Sequence, residues 1–335
     1  VTDASSPLLE IANLDISFAS GKSTAHAVRG LNLDIRAREI HALVGESGSG
    51  KSVTSKAILG LLPRPPARVD SGRILWKGTD LLTLSREQLR RIRGSEIAMV
   101  FQEPGKHLNP ALKIDRQITE ILIEHRGMSA AEARTRAVAL MDMVELANPG
   151  SVLGSYPHEL SGGMKQRALI AMAISCSPEL LLADEPTTAL DATVQGQILK
   201  LLRKLRSELD MAVLLVSHDL GVVQSVADRV SVIYTGKIFE TAVASSVFER
   251  PLHPYTNLLI GAIPEAAKRG QRLVSIPGRV PDARSVPGGC SFHPRCPLAA
   301  EVCSRVEPPL VPHETEHPAA CHFAGRHLTP EPAHG

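Results

Sequence analysis

The stretch Gly45-Glu-Ser-Gly-Ser-Gly-Lys-Ser52 restricts what this chain can fold into more than any other. It fits GxxxxGK followed by Ser or Thr at every fixed position, with an apolar run over residues 40–44 before it and helical spacing (Val53, Ala57, Ile58, Leu61) after it. Gly45, Gly48 and Gly50 let the backbone turn its N–H groups inward around a phosphate chain, with Ser47 and Ser49 between them. The helix expected to start near Lys51 adds the partial positive charge of its N-terminus. Lys51 is expected to reach the β- and γ-phosphates, and the Ser52 hydroxyl to ligand Mg²⁺. A Gly/Ser-rich surface loop is the bland alternative, and the pattern on both sides argues against it. The stretch implies a nucleotide-phosphate site.

At 335 residues the chain exceeds the size at which one hydrophobic core stops growing, so a large domain with an appendage, or two domains, is expected. The 37 basic and 35 acidic residues leave a formal charge of +2, which gives no general pull toward nucleic acid. No apolar run approaches the ~18 residues of a membrane span, and residues 1–7 lack a basic region followed by an apolar one, so a soluble chain that stays where it is made is expected. Aromatics are 3% of the chain, so the core must rest on Leu, Ile, Val and Ala, which suits an α/β fold. Half of the 24 prolines fall at or after Pro264, and four of the five cysteines lie between Cys290 and Cys321. Long periodic segments stop there too, which places a boundary near residues 262–275; no internal repeat is visible.

Residues 8–18 (LLEIANLDISF) alternate as a strand does, and residues 31–35 give a second. Phe18 could stack on a nucleotide base, or be a core residue. Residues 63–70 read as a turn-rich break, 73–76 as a short strand, and 85–93 as a capped helix whose basic face is solvated. Residues 96–101 form a buried-strand pattern ending at Gln102, before a proline- and glycine-containing loop over 103–110. A polar amide at the carboxyl end of a strand can face ligand in an open α/β sheet. Helical patterns follow over 114–126 and 129–146, the second opened by a capping box (Ser129, Glu132), and together they suggest a helical insertion.

Leu160-Ser-Gly-Gly-Met-Lys-Gln-Arg167 precedes another helical run. Ser161 stands where a cap belongs, and Gly162 and Gly163 leave N–H groups accessible, which makes a second anion-binding helix start about 110 residues beyond the first. Next, Leu180-Leu-Leu-Ala-Asp-Glu185 is an apolar strand ending in paired carboxylates. One acid can hold Mg²⁺ through water while the other polarises an attacking water.

Over residues 8 to 260 the chain resembles the ATP-binding-cassette (ABC) ATPases. The Walker A loop (45–52), the LSGGM signature (160–164), Walker B (180–184) with Glu185, the D-loop Ala189-Leu190-Asp191 and a strand-end His218 occur in the family's order. The resemblance implies an α/β fold: an ABC-type P-loop ATPase core with an antiparallel β subdomain and a helical signature subdomain (103–176) within residues 1–262, plus a small Cys-rich C-terminal extension over 263–335. It implies that two cassettes pair head to tail, ATP on one Walker A being closed over by the other's signature. By the same resemblance Glu185 is the general base and His218 positions the γ-phosphate and water. Gln102 touches Mg²⁺ and senses the membrane partner, and Asp184 orients Mg²⁺. Ser161, Gly162 and Gly163 serve the partner's ATP, Asp191 belongs to the D-loop, and Phe18 aligns with the aromatic that stacks on adenine.

The tail, with Pro251-Leu-His-Pro-Tyr-Thr256, Ile276-Pro-Gly278 and Gly289-Cys-Ser-Phe-His-Pro-Arg-Cys296, resembles the C-terminal extension of bacterial dipeptide and oligopeptide importer ATPases, nickel-type relatives included. Expected partners are therefore a second ABC ATPase subunit, identical or different, two transmembrane permease subunits and an extracytoplasmic solute-binding protein, with no nucleic acid. The expected location is peripheral, on the cytoplasmic side of the inner membrane. Cys290, Cys296, Cys303 and Cys321, spaced C-x5-C-x6-C-x17-C, leave open a 4Fe–4S cluster, which the resembling importers carry, a Zn²⁺ site, or unrelated buried thiols. Cys176, on the helix after the signature, reads as a core residue. Two departures from the family pattern stand out: Arg38 where glycine is usual, and Glu-Pro-Gly-Lys-His after Gln102 in place of small hydroxyl residues. The reading from another class is a soluble ABC ATPase acting on ribosomes or DNA, though such proteins usually hold two cassettes in one chain.

Overall fold

The structure is a computed structural model that describes residues 7–21, 23–188, 190–263, 276–314 and 316–326. Most of the expected boundary at 262–275, and Ala189 of the D-loop, lie outside them. In chain order the elements begin with strands β1 (Leu9–Ser20), β2 (Ser23–Ile35) and β3 (Ile40–Val44), then α1 (Lys51–Ile58). There follow β4 (Ala67–Trp76), β5 (Thr79–Asp80), α2 (Arg86–Ile92) and β6 (Ile97–Val100). Helices α3 (Pro104–His107), α4 (Ile114–Arg126), α5 (Ala130–Met143), α6 (Pro149–Gly154) and α7 (Gly162–Ile174) come next. Then come β7 (Leu180–Asp184), α8 (Ala192–Glu208), β8 (Ala212–Ser217), α9 (Leu220–Gln224), β9 (Arg229–Tyr234) and β10 (Lys237–Val243). The chain closes with α10 (Ala244–Glu249), α11 (Pro254–Gly261), α12 (Glu301–Arg305), β11 (Val311–Glu314) and β12 (His317–Ala319).

Two compact units emerge. The first is built on Ile35–His41 and Asp80–Val216. Its strands β6, β7 and β8 are parallel, Leu180 facing both Ile97 and Ala212, and every residue of the three is buried up to Val216. Continuous apolar runs such as LLLA and AVLLV suit parallel strands covered on both faces. Between β6 and β7 lies an all-helical stretch, α3 to α7. Ile114, Ile118 and Leu122 of α4 recur at one-turn spacing and are wholly buried, each such side chain stabilising by about 1.5–3 kcal/mol. Gly127 ends α4 in the left-handed region (φ 63°), and Ser129 with Glu132 opens α5 by the expected capping box. Cys176 is buried in this core.

The second unit is built on Leu9–Asp34, Ala42–Thr79 and the described residues from Ser217 onward. An antiparallel sheet runs β2-β1-β4-β5. The segment expected as a turn-rich break is in part strand: β4 begins at Ala67 and pairs with β1 from Phe18↔Ala67 to Leu9↔Trp76. Polar Asp70, Ser71 and Gly72 hid it, and they lie where the register shifts around Asp15. Gly72 there takes φ +95°, and a Cβ would come within 2.5 Å of Asn13 O, so the bulge needs glycine. A second set of strands runs β11-β12-β10-β9-β3, so the described tail adds two strands beyond β10. Scarce aromatics are concentrated here: Tyr234 packs on Tyr255, Phe239 and Phe292 with ring centroids 4.7, 5.3 and 5.3 Å away.

Candidate active site

In the second unit, β3 delivers the chain into the phosphate loop, and α1 begins at Lys51 as expected. Gly48 and Gly50 take φ of +80° and +106°, and a Cβ on Gly45 would lie 2.2 Å from Ile233 O. Backbone conformation at two positions and space at the third therefore demand glycine. Lys51, 4% exposed, donates from Nζ to Gly45 O at 2.8 Å and Glu46 O at 2.9 Å. The ammonium thus lies across the loop it is expected to fill with phosphate. Ser49 Oγ is buried with no hydrogen-bond partner among the described residues. An orphaned hydroxyl, a buried lysine and a helix start with no acidic residue in its first turn fit a polyanion with its Mg²⁺, for which half-buried Ser52 is the adjoining hydroxyl. Phe18 is half-buried on β1, opposite Ala67. His218 is exposed, immediately after β8.

The first unit brings Gln102 and Glu185 together across 83 residues of sequence. Gln102 Nε2 and Thr188 Oγ1 each donate to Glu185 Oε2 at 2.9 Å. Asp184, 3% exposed, ends β7, and the backbone turns at Glu185 into the left-handed region (φ 48°). Non-glycine residues held there cost about 1–3 kcal/mol and persist only where surroundings over-determine them. Here the Glu185 N–H is fixed on Val216 O at 3.0 Å while its carboxylate is gripped from two sides. Sequence reading missed Thr188; the Pro-Thr-Thr run after the carboxylates was the available signal. The loop after Gln102 forms the short α3, with Phe101 and His107 stacked at 4.0 Å.

The signature lies in this unit as well. Ser161 is the N-cap of α7, its Oγ accepting from Met164 N at 3.3 Å, so its hydroxyl proton can be donated outward. Ser161 and Gly162 are exposed, and no acidic residue stands in the first turn of α7. Gly163 packs on the start of α8: a Cβ there would meet Val194 Cγ1 at 2.9 Å. Asp191 caps α8, accepting from Thr193 N at 3.1 Å and Val194 N at 3.0 Å, so D-loop and signature are built on one another. Arg38 takes φ 61°, the conformation a glycine would favour there, and pairs with Asp210 at 3.2 Å.

Cys290, Cys296, Cys303 and Cys321 line one small cavity in the second unit, of about 10 Å³, with His253 and Leu298. Burial above all, with a smaller contribution from the neighbouring cysteines, pushes the Cys290, Cys296 and Cys321 thiols up to about 11. Four thiols converging in an apolar lining fit thiolate-bound iron or zinc in donor type. In spacing they do not form a ready shell: no group of three or more His, Cys, Asp or Glu side chains among the described residues is arranged to hold a metal ion. The expected cluster is thus matched in residue type and convergence, not in geometry.

Among the described residues no helix is long and apolar enough to cross a membrane. Residues 28–188 match the ABC transporter family, and residues 239–303 match the oligopeptide/dipeptide transporter C-terminal region. The dipeptide transport ATP-binding protein DppD of Bacillus subtilis is 46% identical over 314 residues, 94% of each chain. The oligopeptide transport ATP-binding protein OppD of the same organism is 45% identical over 304 residues, 90% of this chain and 85% of that one. Among solved structures, the dimeric ATP-binding cassette MJ0796 in a post-hydrolysis state bound to ADP and Pi aligns with a TM-score of 0.63 and 31% identity, over 70% of this chain and 98% of that one. By these matches the chain belongs to the ABC transporter ATP-binding proteins that carry the oligopeptide/dipeptide transporter C-terminal region.

Proposed function

We propose that this ATPase energises the uptake of dipeptides or oligopeptides from the cytoplasmic face of the inner membrane, paired with a second ABC ATPase subunit and bound to two permease subunits, with an extracytoplasmic solute-binding protein delivering the solute. The observation that carries the transport reading is the Gln102–Glu185 hydrogen bond, because it joins the expected base to the loop expected to face the permease. The extended similarity to peptide transport ATP-binding proteins supports the solute class.

Phosphoryl transfer needs positioning and charge neutralisation more than covalent chemistry. Lys51 and the loop N–H groups hold the triphosphate, and Phe18 stacks on the adenine. Glu185 takes a proton from the attacking water, which His218 helps to place. Ser52, Gln102 and Asp184 would hold Mg²⁺, which would supply charge neutralisation for phosphoryl transfer. Ser161, Gly162 and Gly163 close on the ATP of the paired subunit, with Asp191 anchoring the adjoining helix. In this reading residues 1–262 are the nucleotide-binding domain, with residues 103–176 its helical part, and residues 263–335 the extension. The four cysteines of the extension hold a 4Fe–4S cluster, zinc being the alternative; the convergence of the thiols supports it. Iron and sulfide analysis of anaerobically purified protein, with Cys290→Ser as control, tests that assignment, and one zinc with no iron overturns it.

Vesicles reconstituted with the permease partners and the solute-binding protein decide the solute. ATP-driven accumulation of labelled di- or oligopeptides that Glu185→Gln abolishes is the expected result. Accumulation of nickel alone would overturn the peptide reading, and an ATPase that pellets with ribosomes rather than with permeases would overturn transport.

A further inference from the structure

We propose that Arg295, in the tail, is a positioning residue for the nucleotide site: its guanidinium cancels the charge of Glu46 on the phosphate loop and holds that loop ready for ATP. The inference rests on residues 45–52 being the ATP phosphate site.

Glu46 puts a carboxylate on a loop whose ligand is a polyanion. Left uncompensated, that charge would repel the triphosphate and draw the loop toward water. Arg295 meets it as a fork, Nη1 donating to Glu46 Oε2 at 2.7 Å and Nη2 to Oε1 at 3.0 Å. Arg295 is 5% exposed against 26% for Glu46, so the pair is shielded mainly on the arginine side. The guanidinium is itself prearranged. Its Nε donates to Pro277 O at 2.7 Å and its Nη1 also to Tyr234 Oη at 3.1 Å, with the Tyr234 and Phe292 rings each 5.8 Å away.

The rest of Glu46 is held as firmly. Its N–H donates to Tyr255 Oη at 2.9 Å, and its carbonyl accepts from Lys51 Nζ at 2.9 Å. Tyr255 belongs to the Pro-Leu-His-Pro-Tyr-Thr motif and Arg295 to the His-Pro-Arg-Cys motif. Two of the three tail stretches that none of the ATPase roles absorbed therefore end on one residue of the phosphate loop, and the third, through Pro277 O, holds the arginine that does so. A tail that served only to cover the β9–β10 surface would not need a paired charge on that loop, since a buried ion pair is weak as a stabiliser compared with apolar packing.

The test measures MgATP affinity of the full-length chain, nucleotide-free thermal stability, and KM and kcat in the assembled transporter. Arg295→Ala should raise the Kd for MgATP about tenfold, which is about 1.4 kcal/mol, and raise KM alike with kcat changed by less than about twofold. Adding Glu46→Gln to Arg295→Ala removes the stranded charge and should bring Kd back to within about threefold of wild type, while Arg295→Lys, which keeps charge but loses the fork, falls between. An Arg295→Ala protein that melts lower yet binds ATP as wild type does, or a double variant no better than the single one, would overturn the proposal. Should Arg295→Ala not fold, Arg295→Lys decides: unchanged affinity overturns the proposal, and a loss that Glu46→Gln reverses supports it. Lys51→Ala separates the two layers: an unchanged Kd there removes the phosphate-site reading and with it the inference, whereas a raised Kd there beside an Arg295→Ala protein that binds ATP as wild type does overturns the Arg295 inference alone.

Discussion

Glu185 is the residue where strain, hydrogen bonding and chemistry coincide. Its left-handed backbone, fixed by Val216 O and by the Gln102 and Thr188 donors, aims a carboxylate that a relaxed strand end would leave mobile. Glu185→Gln keeps the acceptor oxygen those donors need but removes the proposed base. We expect MgATP binding to be retained and steady-state hydrolysis to fall by about 10²–10⁴-fold, measured as phosphate release. Hydrolysis at near wild-type rate would show that the base lies elsewhere. Lys51, Asp184, Glu185 and Ser161 could be named as candidates because spacing rules fix which residue types a phosphate site uses. Their partners could not. Gln102 reaches Glu185 through the pairing of β6 with β7, and Glu46 reaches Arg295 through packing in the second unit, neither of which leaves a local pattern.

Among the elements, those with strong periodicity or a cap were readable. Helices α4, α5 and α7 begin where Ser or an apolar repeat says they should, because caps and amphipathic faces are local properties. The first half of β4 was not readable, since its strand conformation comes from pairing with β1 and overrides the turn preferences of Asp70, Ser71 and Gly72. Short α3 and α6 escaped for the opposite reason: four and six residues carry no period to detect. At this scale the D-loop offers a clean test. Asp191 satisfies two N–H groups of α8, so Asp191→Ala should lower stability by about 1 kcal/mol in chemical denaturation. It should also loosen Val194 against Gly163 and so lower the rate of ATP hydrolysis. A variant as stable as wild type would show that the cap is not formed in solution.

At the scale of the molecule, a tail too poor in periodic apolar residues to fold by itself is bound into the second unit by specific polar contacts. Glu240, fully buried on β10, accepts from Leu252 N at 2.8 Å, His253 N at 2.9 Å and His317 Nε2 at 2.8 Å, tying α11 and β12 to one strand. Glu240→Ala strands these donors, and the expected loss is about 3–5 kcal/mol in equilibrium unfolding; a loss below about 1 kcal/mol would mean that the tail is anchored by other contacts. Prolines and cysteines set the tail apart in composition. Composition could not announce that the tail grips the phosphate loop, because that depends on where β9, α11 and the Cys290–Cys296 stretch meet. The central claim is that nucleotide is clasped between the phosphate loop of one subunit and the signature turn of another. A structure of the assembled transporter containing Glu185→Gln, determined with MgATP, tests it most directly. The account predicts Lys51 on the β- and γ-phosphates of this chain's own ATP and Ser161 Oγ within hydrogen-bond distance of the γ-phosphate held by the paired subunit. A structure with both subunits loaded and the Ser161 turn facing solvent would contradict it.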